Sequence, residues 1–214
     1  MMKFLVTGFE PFGQSSINPS EQVVRHLAAM QFEEFGVATA VLPVHRTRGS
    51  EALITAVLQT QPDAIICLGE AGGRHAISIE RVAINLMDYG LADNDGQLVQ
   101  DAPIEPDGPA AYFTTLPVRK LMLAVQNGGI PAELSLTAGA YLCNQVTYEL
   151  LHFLAKQQLD MPAGFVHLPF LPQQAAVRPG KFPSMALETM VTAVTTILTT
   201  LHTKLCGTIT SARK

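Results

Sequence analysis

Two kinds of apolar pattern alternate along this chain. Short, nearly continuous apolar runs at residues 3–7, 37–44, 64–68 and 164–168 read as buried strands. Between them, apolar residues recur every three or four positions, the spacing of one buried helix face. A helix starting near Asn18-Pro-Ser-Glu21, with Asn18 or Ser20 as its cap, carries Val23, Val24, Leu27, Ala28 and Met30. Further helices are expected over 50–59, 117–126 and 141–157, and a last one carries Leu187, Met190, Val191, Val194, Ile197, Leu198 and Leu201. A short strand is expected at 133–136. The order through residue 68 is β-α-β-α-β, the arrangement of a parallel sheet covered on both faces. The expected fold is α/β: a single three-layer α/β/α domain over 1–214, with a mostly parallel twisted central sheet and a small side sheet or hairpin. The Thr-rich outer face of the last helix has poor helix propensity, so packing must hold it, and the tail from Gly207 is expected to fray.

Residues 77–86 follow a different rule. Ser78, Glu80, Val82, Ile84 and Leu86 share one parity, while Arg81 and Asn85 fall on the other with Ile77 and Ile79. Strict alternation predicts one strand, antiparallel or in a side sheet. Residues 91–117 are rich in Asp, Gly and Pro, with turn signals at Asn94-Asp-Gly96 and Pro106-Asp-Gly108. A connection this long in a small domain points to a functional loop. In parallel sheets ligands bind beyond the C-terminal strand ends, so loops 8–13 and 69–74 are the places to search.

Composition narrows the classes. Hydrophobic residues make up 48% and charged residues 15% of the 214, enough to bury a sizeable core. A net charge of −4 with no Lys/Arg run excludes a nucleic-acid footprint, and the absence of Trp leaves no evident stacking platform for bases. No apolar run has membrane length, and the first residues lack the length and cleavage site of a signal peptide. Cys67, Cys143 and Cys206 are an odd number without close pairs, which argues against a disulfide framework and a Cys-rich zinc site and fits a reducing, cytoplasmic setting.

Cys143 carries the candidate chemistry. It follows the small-residue stretch Thr137-Ala-Gly-Ala140 and opens the helix at 141–157. A helix N-terminus favours thiolate, the nucleophilic form of cysteine. An inert buried thiol is the alternative reading of a lone cysteine. A nucleophile needs a base, and His167 lies at the C-terminal end of a strand, where a parallel sheet presents its ligand crevice. His26, His152 and His202 fall in helical stretches. A satisfied core histidine is the alternative for His167. The base needs an orienting carboxylate. Glu80 shares its strand face with apolar residues, so it must be buried and partnered. Its neighbour Arg81 points to the opposite face. Other motifs fail: Gly69-Glu-Ala-Gly-Gly73 lacks dinucleotide spacing, no phosphate-loop lysine or His-Glu-x-x-His occurs, and Asp93-Asn-Asp-Gly96 lacks the later acid of a calcium loop. No metal or cofactor is expected.

Four blocks in fixed order carry a resemblance. They are Val6-Thr-Gly-Phe-Glu-Pro-Phe-Gly13 with Asn18-Pro-Ser20; Gly69-Glu-Ala-Gly-Gly-Arg74 with Ile79-Glu-Arg-Val-Ala-Ile-Asn85; Thr137-Ala-Gly139 with Cys143-Asn144; and His167-Leu-Pro169 with Leu171-Pro-Gln173. Along nearly its whole length the sequence resembles pyroglutamyl peptidase I, the pyrrolidone-carboxylate peptidases. The resemblance implies a cysteine-type omega-peptidase that removes N-terminal pyroglutamate from peptides, often as a homotetramer. It implies Cys143 as nucleophile, His167 as base and acid, and Glu80 as orienter. It places Phe9 and Phe12 around the lactam ring, the Glu70 backbone at the ring's polar edge, and Asn18 as a brace of the first loop. The sequence departs from the family pattern at three places: Glu70 stands where the family has Gln; Met87-Asp-Tyr-Gly-Leu-Ala92 stands where it has Asp-Asp-Ala-Arg-Ile-Pro, which puts Gly90 in the place of its arginine; and Thr137-Ala-Gly-Ala-Tyr141 replaces Thr-Ala-Gly-Thr-Tyr. Arg74, Arg81, His45 and Arg46 are the cations on hand to stand in. A degenerate member that binds without cleaving, and a thiol amidohydrolase of another small lactam or amide, are the competing functional readings.

Overall fold

Strand β1 (Met2–Phe9) buries every residue from Phe4 to Phe9, because helices cover both faces of the sheet to which it belongs. The computed structural model describes residues 1–211. After β1 come α1 (Pro19–Ala29), β2 (Phe35–Leu42), α2 (Arg48–Thr60), β3 (Ala64–Glu70), β4 (Ile77–Glu80), β5 (Val82–Ile84) and β6 (Ala111–Phe113). The chain continues with α3 (Val118–Asn127), β7 (Ala132–Ser135), α4 (Leu142–Lys156), β8 (Ala163–Leu168), α5 (Pro172–Ala176) and α6 (Leu187–Ser211). Six strands form one sheet in the order β2-β1-β3-β8-β4-β7, and β5 pairs with β6 in a separate ribbon. The first four strands of that order are mutually parallel; β4 and β7 are parallel to each other and antiparallel to β8.

Alternate residues of each strand feed two cores. On one face Phe4, Val6, Ile66 and Val166 meet Val23 and Leu27 of α1, Leu121 and Val125 of α3, and Val194 and Leu198 of α6. On the other, Leu5, Ile65 and Phe165 meet Leu53 and Val57 of α2 and Val146 and Leu150 of α4. This is the expected three-layer α/β/α arrangement with a mostly parallel sheet and a small side sheet. α1 starts as its sequence dictates: Asn18 caps it, accepting from the Ser20 backbone N–H at 2.9 Å, with Pro19 in the first turn. On α6, the hydroxyls of Thr192, Thr196 and Thr200 donate to carbonyls four residues earlier, which satisfies those three hydroxyls within the helix itself. The helix continues past Gly207 to Ser211 where fraying is expected from sequence; residues 212–214 lie outside the described residues.

The single strand expected over 77–86 divides at Arg81. The Arg81 backbone N–H donates to Ser135 O at the end of β7, and its carbonyl accepts from Thr114 N just past β6, so one residue hands the chain from the main sheet to the ribbon. All four residues of β4 are buried, whereas Val82 is half-buried and Ile84 is exposed. Glu80 is therefore buried because β4 is an interior strand, not because it shares a face with Val82 and Ile84.

The long excursion is tied down by polar side chains, two of them, Asp93 and Asn144, buried. Asn85 Oδ1 accepts from the backbone N–H groups of Ile104 and Glu105. Asp93 accepts from those of Arg46, Asp95 and Gln97, which commits its carboxylate to shaping the turn. Asn144, beside Cys143, accepts from Ile84 N and donates to Ile84 O and Leu86 O, bolting α4 to the ribbon.

Candidate active site

Cys143 occupies the second position of α4. Its cap residue, Tyr141, makes no side-chain capping bond, so the first-turn N–H groups are left for another acceptor. The sulfur lies against β3. A Cβ built on Gly69 would fall 2.8 Å from Cys143 Sγ and 2.6 Å from the Phe165 ring, so only glycine lets the helix approach this closely. Gly69 thus belongs to the site through space. The sequence places Gly69 at the start of a candidate ligand loop, but nothing local reveals the sulfur above it.

His167 lies at the C-terminal end of β8, directly opposite Ser78 of antiparallel β4. Glu80, two residues along β4, falls on the same face and diagonal to His167, within reach of a long side chain. Nδ1 of His167 and Oε1 of Glu80 are 2.7 Å apart. The two residues are 3% and 1% exposed, so their main partners are each other and nearby protein groups. Burial raises the Glu80 carboxyl, but the hydrogen bond and charge of His167 together with Arg74 outweigh it and hold the group below the usual carboxylate range. Burial lowers the His167 imidazole, the Glu80 carboxylate works against it, and Arg74 adds to the lowering. Glu80 is thus ionised and His167 neutral at rest. Nδ1 carries the proton toward Glu80, and Nε2 is left with a lone pair.

Cys143 does not follow the helix-terminus expectation. Desolvation, then the charges of Glu80 and Glu70, push its thiol up to about 12, against a lowering by Arg74. The favourable helix end is outweighed by burial and two carboxylates, so the resting sulfur is protonated. Cys143 and His167 stand in the wall of one cavity of about 270 Å³. Among the described residues no sulfur–imidazole hydrogen bond is formed; in substrate-free sites such bonds are commonly long and tighten in the Michaelis complex.

The same wall contains Phe9, Phe12 and Glu70, expected around the lactam ring, and Asn18, expected to brace the first loop. Asn18 also donates from Nδ2 to Glu10 O at 3.1 Å, tying the first loop to the start of α1. Glu70 Oε2 accepts from Gln174 Nε2 at 2.8 Å, and Gln174 in turn donates to Ser15 Oγ and Ile17 O. Burial holds the Glu70 carboxyl above its usual value, with Gln174 and Arg178 opposing. Sequence reading did not assign site roles to Gln174, Tyr141 or the turn at 137–139, which bring distant loops to the cavity.

Of the four candidate cations, Arg74 reaches the site. Nη1 meets Glu80 Oε1 at 2.7 Å and Nη2 donates to Thr137 O at 2.9 Å. His45 instead accepts the Thr47 and Arg48 backbone N–H groups, and the Arg46 backbone binds Asp93. Gly90 is exposed, and a Cβ there would meet nothing within 4 Å. Among the described residues no cluster of three or more His, Cys, Asp or Glu side chains is disposed to hold a metal ion, and no helix is long and apolar enough to cross a membrane.

The family model described as pyroglutamyl peptidase matches residues 2–204. A pyrrolidone-carboxylate peptidase of Gloeobacter violaceus is 45% identical over 203 residues, spanning 95% of this chain and 98% of the relative. One from Brevibacillus brevis is 42% identical over 191 residues, 89% of this chain and 88% of the relative. A solved mutant pyrrolidone carboxyl peptidase of the hyperthermophile Pyrococcus furiosus superposes with a TM-score of 0.92 at 40% identity, covering 95% of this chain and all (100%) of its own. The pyroglutamyl peptidase I of Bacillus amyloliquefaciens gives 0.90 at 35% identity, covering 94% and 95%. With the family model spanning nearly the whole chain, relatives above 40% identical and a shared overall fold, the chain belongs to the pyroglutamyl peptidase family.

Proposed function

We propose that this chain is a cysteine-type omega-peptidase that hydrolyses the amide bond after an N-terminal pyroglutamyl residue, using Cys143, His167 and Glu80. The observation that carries the reading is the buried Glu80–His167 pair, which backs a largely apolar cavity whose wall also holds Cys143, Phe9 and Phe12. A five-membered lactam has no α-ammonium to neutralise. A small cavity faced by two phenylalanines with a few polar groups suits it better than an acidic amine clamp.

In the first step Sγ of Cys143 attacks the pyroglutamyl carbonyl carbon while its proton passes to Nε2 of His167. The high resting thiol makes this base assistance necessary. Glu80 stabilises the imidazolium that results. The carbonyl oxygen becomes an oxyanion and is held by the uncapped N–H groups at the start of α4. Collapse breaks the C–N bond, and the departing amine takes the proton from His167. Water then attacks the thioester, with His167 taking and returning its proton, to release pyroglutamate and free thiol.

Phe9 and Phe12 flank the ring, the Glu70 backbone meets its polar edge, and Asn18 holds the first loop. The whole chain, 1–214, works as one domain. Family resemblance supports a homotetramer, and an odd number of cysteines with no close pairs in the sequence supports a cytoplasmic setting. The deciding experiment is release of a fluorophore from a pyroglutamyl amide. Wild type is expected to turn over and Cys143→Ala to be inactive. Robust activity in Cys143→Ala, or faster turnover of prolyl or glutaminyl amides than of the pyroglutamyl amide, overturns the reading. A folded wild type without turnover assigns the chain to binding instead.

A further inference from the structure

We propose that Arg74 is a positioning residue of the thiol site: it locks the Glu80 carboxylate to the loop leading into the Cys143 helix and supplies the positive field shared by Cys143 and His167. The proposal rests on the peptidase reading for its kinetic arm only.

The local chain is built to deliver this side chain. Arg74 N bonds Ala71 O in a tight turn whose third residue, Gly73, has φ +90°, a conformation that favours glycine. Gly72 lies against the Phe170 ring, where a Cβ would fall 2.0 Å from Cζ. The turn therefore has little room to shift, and it sends Arg74 back over the end of β4. Its two nitrogens serve different elements: Nη1 the Glu80 carboxylate on β4, Nη2 the Thr137 carbonyl on the loop between β7 and α4. Thr137 is also held by Ser135, whose hydroxyl donates to the same carbonyl, and its own hydroxyl accepts from Gly139 N. One planar fork thus fixes the distance between the orienting carboxylate and the segment that sets the position of Cys143. A lysine, with a single ammonium on a flexible stem, does not reproduce that fork.

The electrostatic part follows from what else faces the reacting groups. Glu70 and Cys67 on β3, Glu80 on β4 and Tyr141 at the head of α4 are the other ionisable neighbours of Cys143 and His167. All of them are neutral or negative. Among the described residues Arg74 is the one guanidinium or ammonium group in the cavity wall. Its side chain is 26% exposed, so its field is only partly screened by solvent. It lowers both the thiol and the imidazole. Removing that charge favours the protonated form of each, so both limbs of a bell-shaped pH–rate profile move to higher pH.

The test uses Arg74→Gln and Arg74→Lys in the full chain. It reads the pH dependence of kcat/KM on a pyroglutamyl amide, the rate of Cys143 alkylation mapped by peptide mass spectrometry, and the melting temperature. Arg74→Gln is expected to move both limbs and the alkylation profile up by about one pH unit. Arg74→Lys keeps the charge, so the limbs stay in place, but the lost fork lowers kcat about tenfold to a hundredfold. An Arg74→Gln variant that melts lower yet keeps the wild-type pH profiles makes Arg74 a structural brace and overturns the proposal. If Arg74→Gln fails to fold, Arg74→Lys decides, and wild-type kcat and KM in that variant overturn it. A wild type without turnover sinks the peptidase reading alone. The alkylation profile then decides on Arg74, a shift supporting its role and an unmoved profile overturning it.

Discussion

His167 Nδ1 and Glu80 Oε1 lie 2.7 Å apart across antiparallel strands, and the same carboxylate oxygen also receives Arg74. The pairing fixes the imidazole tautomer and leaves Nε2 as the base. Glu80→Gln keeps the shape and removes the charge that stabilises imidazolium. kcat is expected to fall by about 10²–10⁴, with KM changing by no more than a few-fold, as measured with a fluorogenic pyroglutamyl amide. A rise in KM at unchanged kcat shows instead that Glu80 only shapes the pocket.

The resting state of the thiol is a second expectation. With Cys143 raised to about 12 and His167 lowered, both are neutral near pH 7. Alkylation of Cys143 by a small uncharged reagent should climb through the alkaline range without an acidic plateau. Cys67, fully buried and likewise raised to about 12, should resist the reagent until the protein unfolds. A Cys143 rate that is already flat at pH 5 to 6 identifies a resting thiolate–imidazolium pair and refutes the neutral one.

Much of this site is legible in the residues alone, and the exceptions have physical causes. Val23, Val24 and Leu27 announce the buried face of α1, and the run ending at Thr7 announces an interior strand, because periodicity records burial directly. The division at Arg81 is invisible to periodicity. Both halves alternate, and the partner strand is chosen by Ser135 and Thr114, which are more than thirty residues away. Gly69 fails for a similar reason, its constraint being a sulfur 74 positions later in the chain. The thiolate expectation came from a sound local rule, the helix terminus. It lost to Glu80 and Glu70, carboxylates that only the folded chain brings near Cys143.

Gly69→Ala tests the close approach of α4 to β3. The added methyl collides with the Phe165 ring and Cys143 Sγ, and Phe165 sits in a fully buried interior strand. Overpacking of this kind costs about 1–3 kcal/mol, and displacement of the sulfur adds a loss of kcat. Urea denaturation and turnover together check it. Wild-type values for both show that the helix has room to retreat.

Asn144→Ala removes three hydrogen bonds that tie α4 to the ribbon and the residues after it, leaving the Ile84 N–H and the Leu86 carbonyl without a partner, while the Ile84 carbonyl still accepts from Leu86 N. At roughly 1 kcal/mol per bond the loss is about 3 kcal/mol. For a chain of this size that lowers the melting temperature by about 6–12 °C, measurable by calorimetry. A drop under about 2 °C shows that water replaces the bonds at little cost.

Glu70→Gln is expected to raise stability at neutral pH. The folded-state carboxyl is held above its unfolded value, chiefly by burial. Such a group favours folding most below the unfolded pKa, and the advantage is lost as pH rises through the folded pKa. Near pH 7 the ionised side chain therefore weighs against the fold, and glutamine removes that weight while its amide oxygen still accepts from Gln174. The gain should be largest near pH 7 and vanish near pH 4. Glu80 and His167 have the opposite dependence. Both pKa values are depressed in the fold, so their contribution is present above the unfolded values and lost on acidification. Urea titrations of wild type and Glu70→Gln at several pH values separate the two. If the difference between the proteins is constant from pH 4 to 7, Glu70 acts through shape or hydrogen bonding, and its charge is irrelevant to the fold.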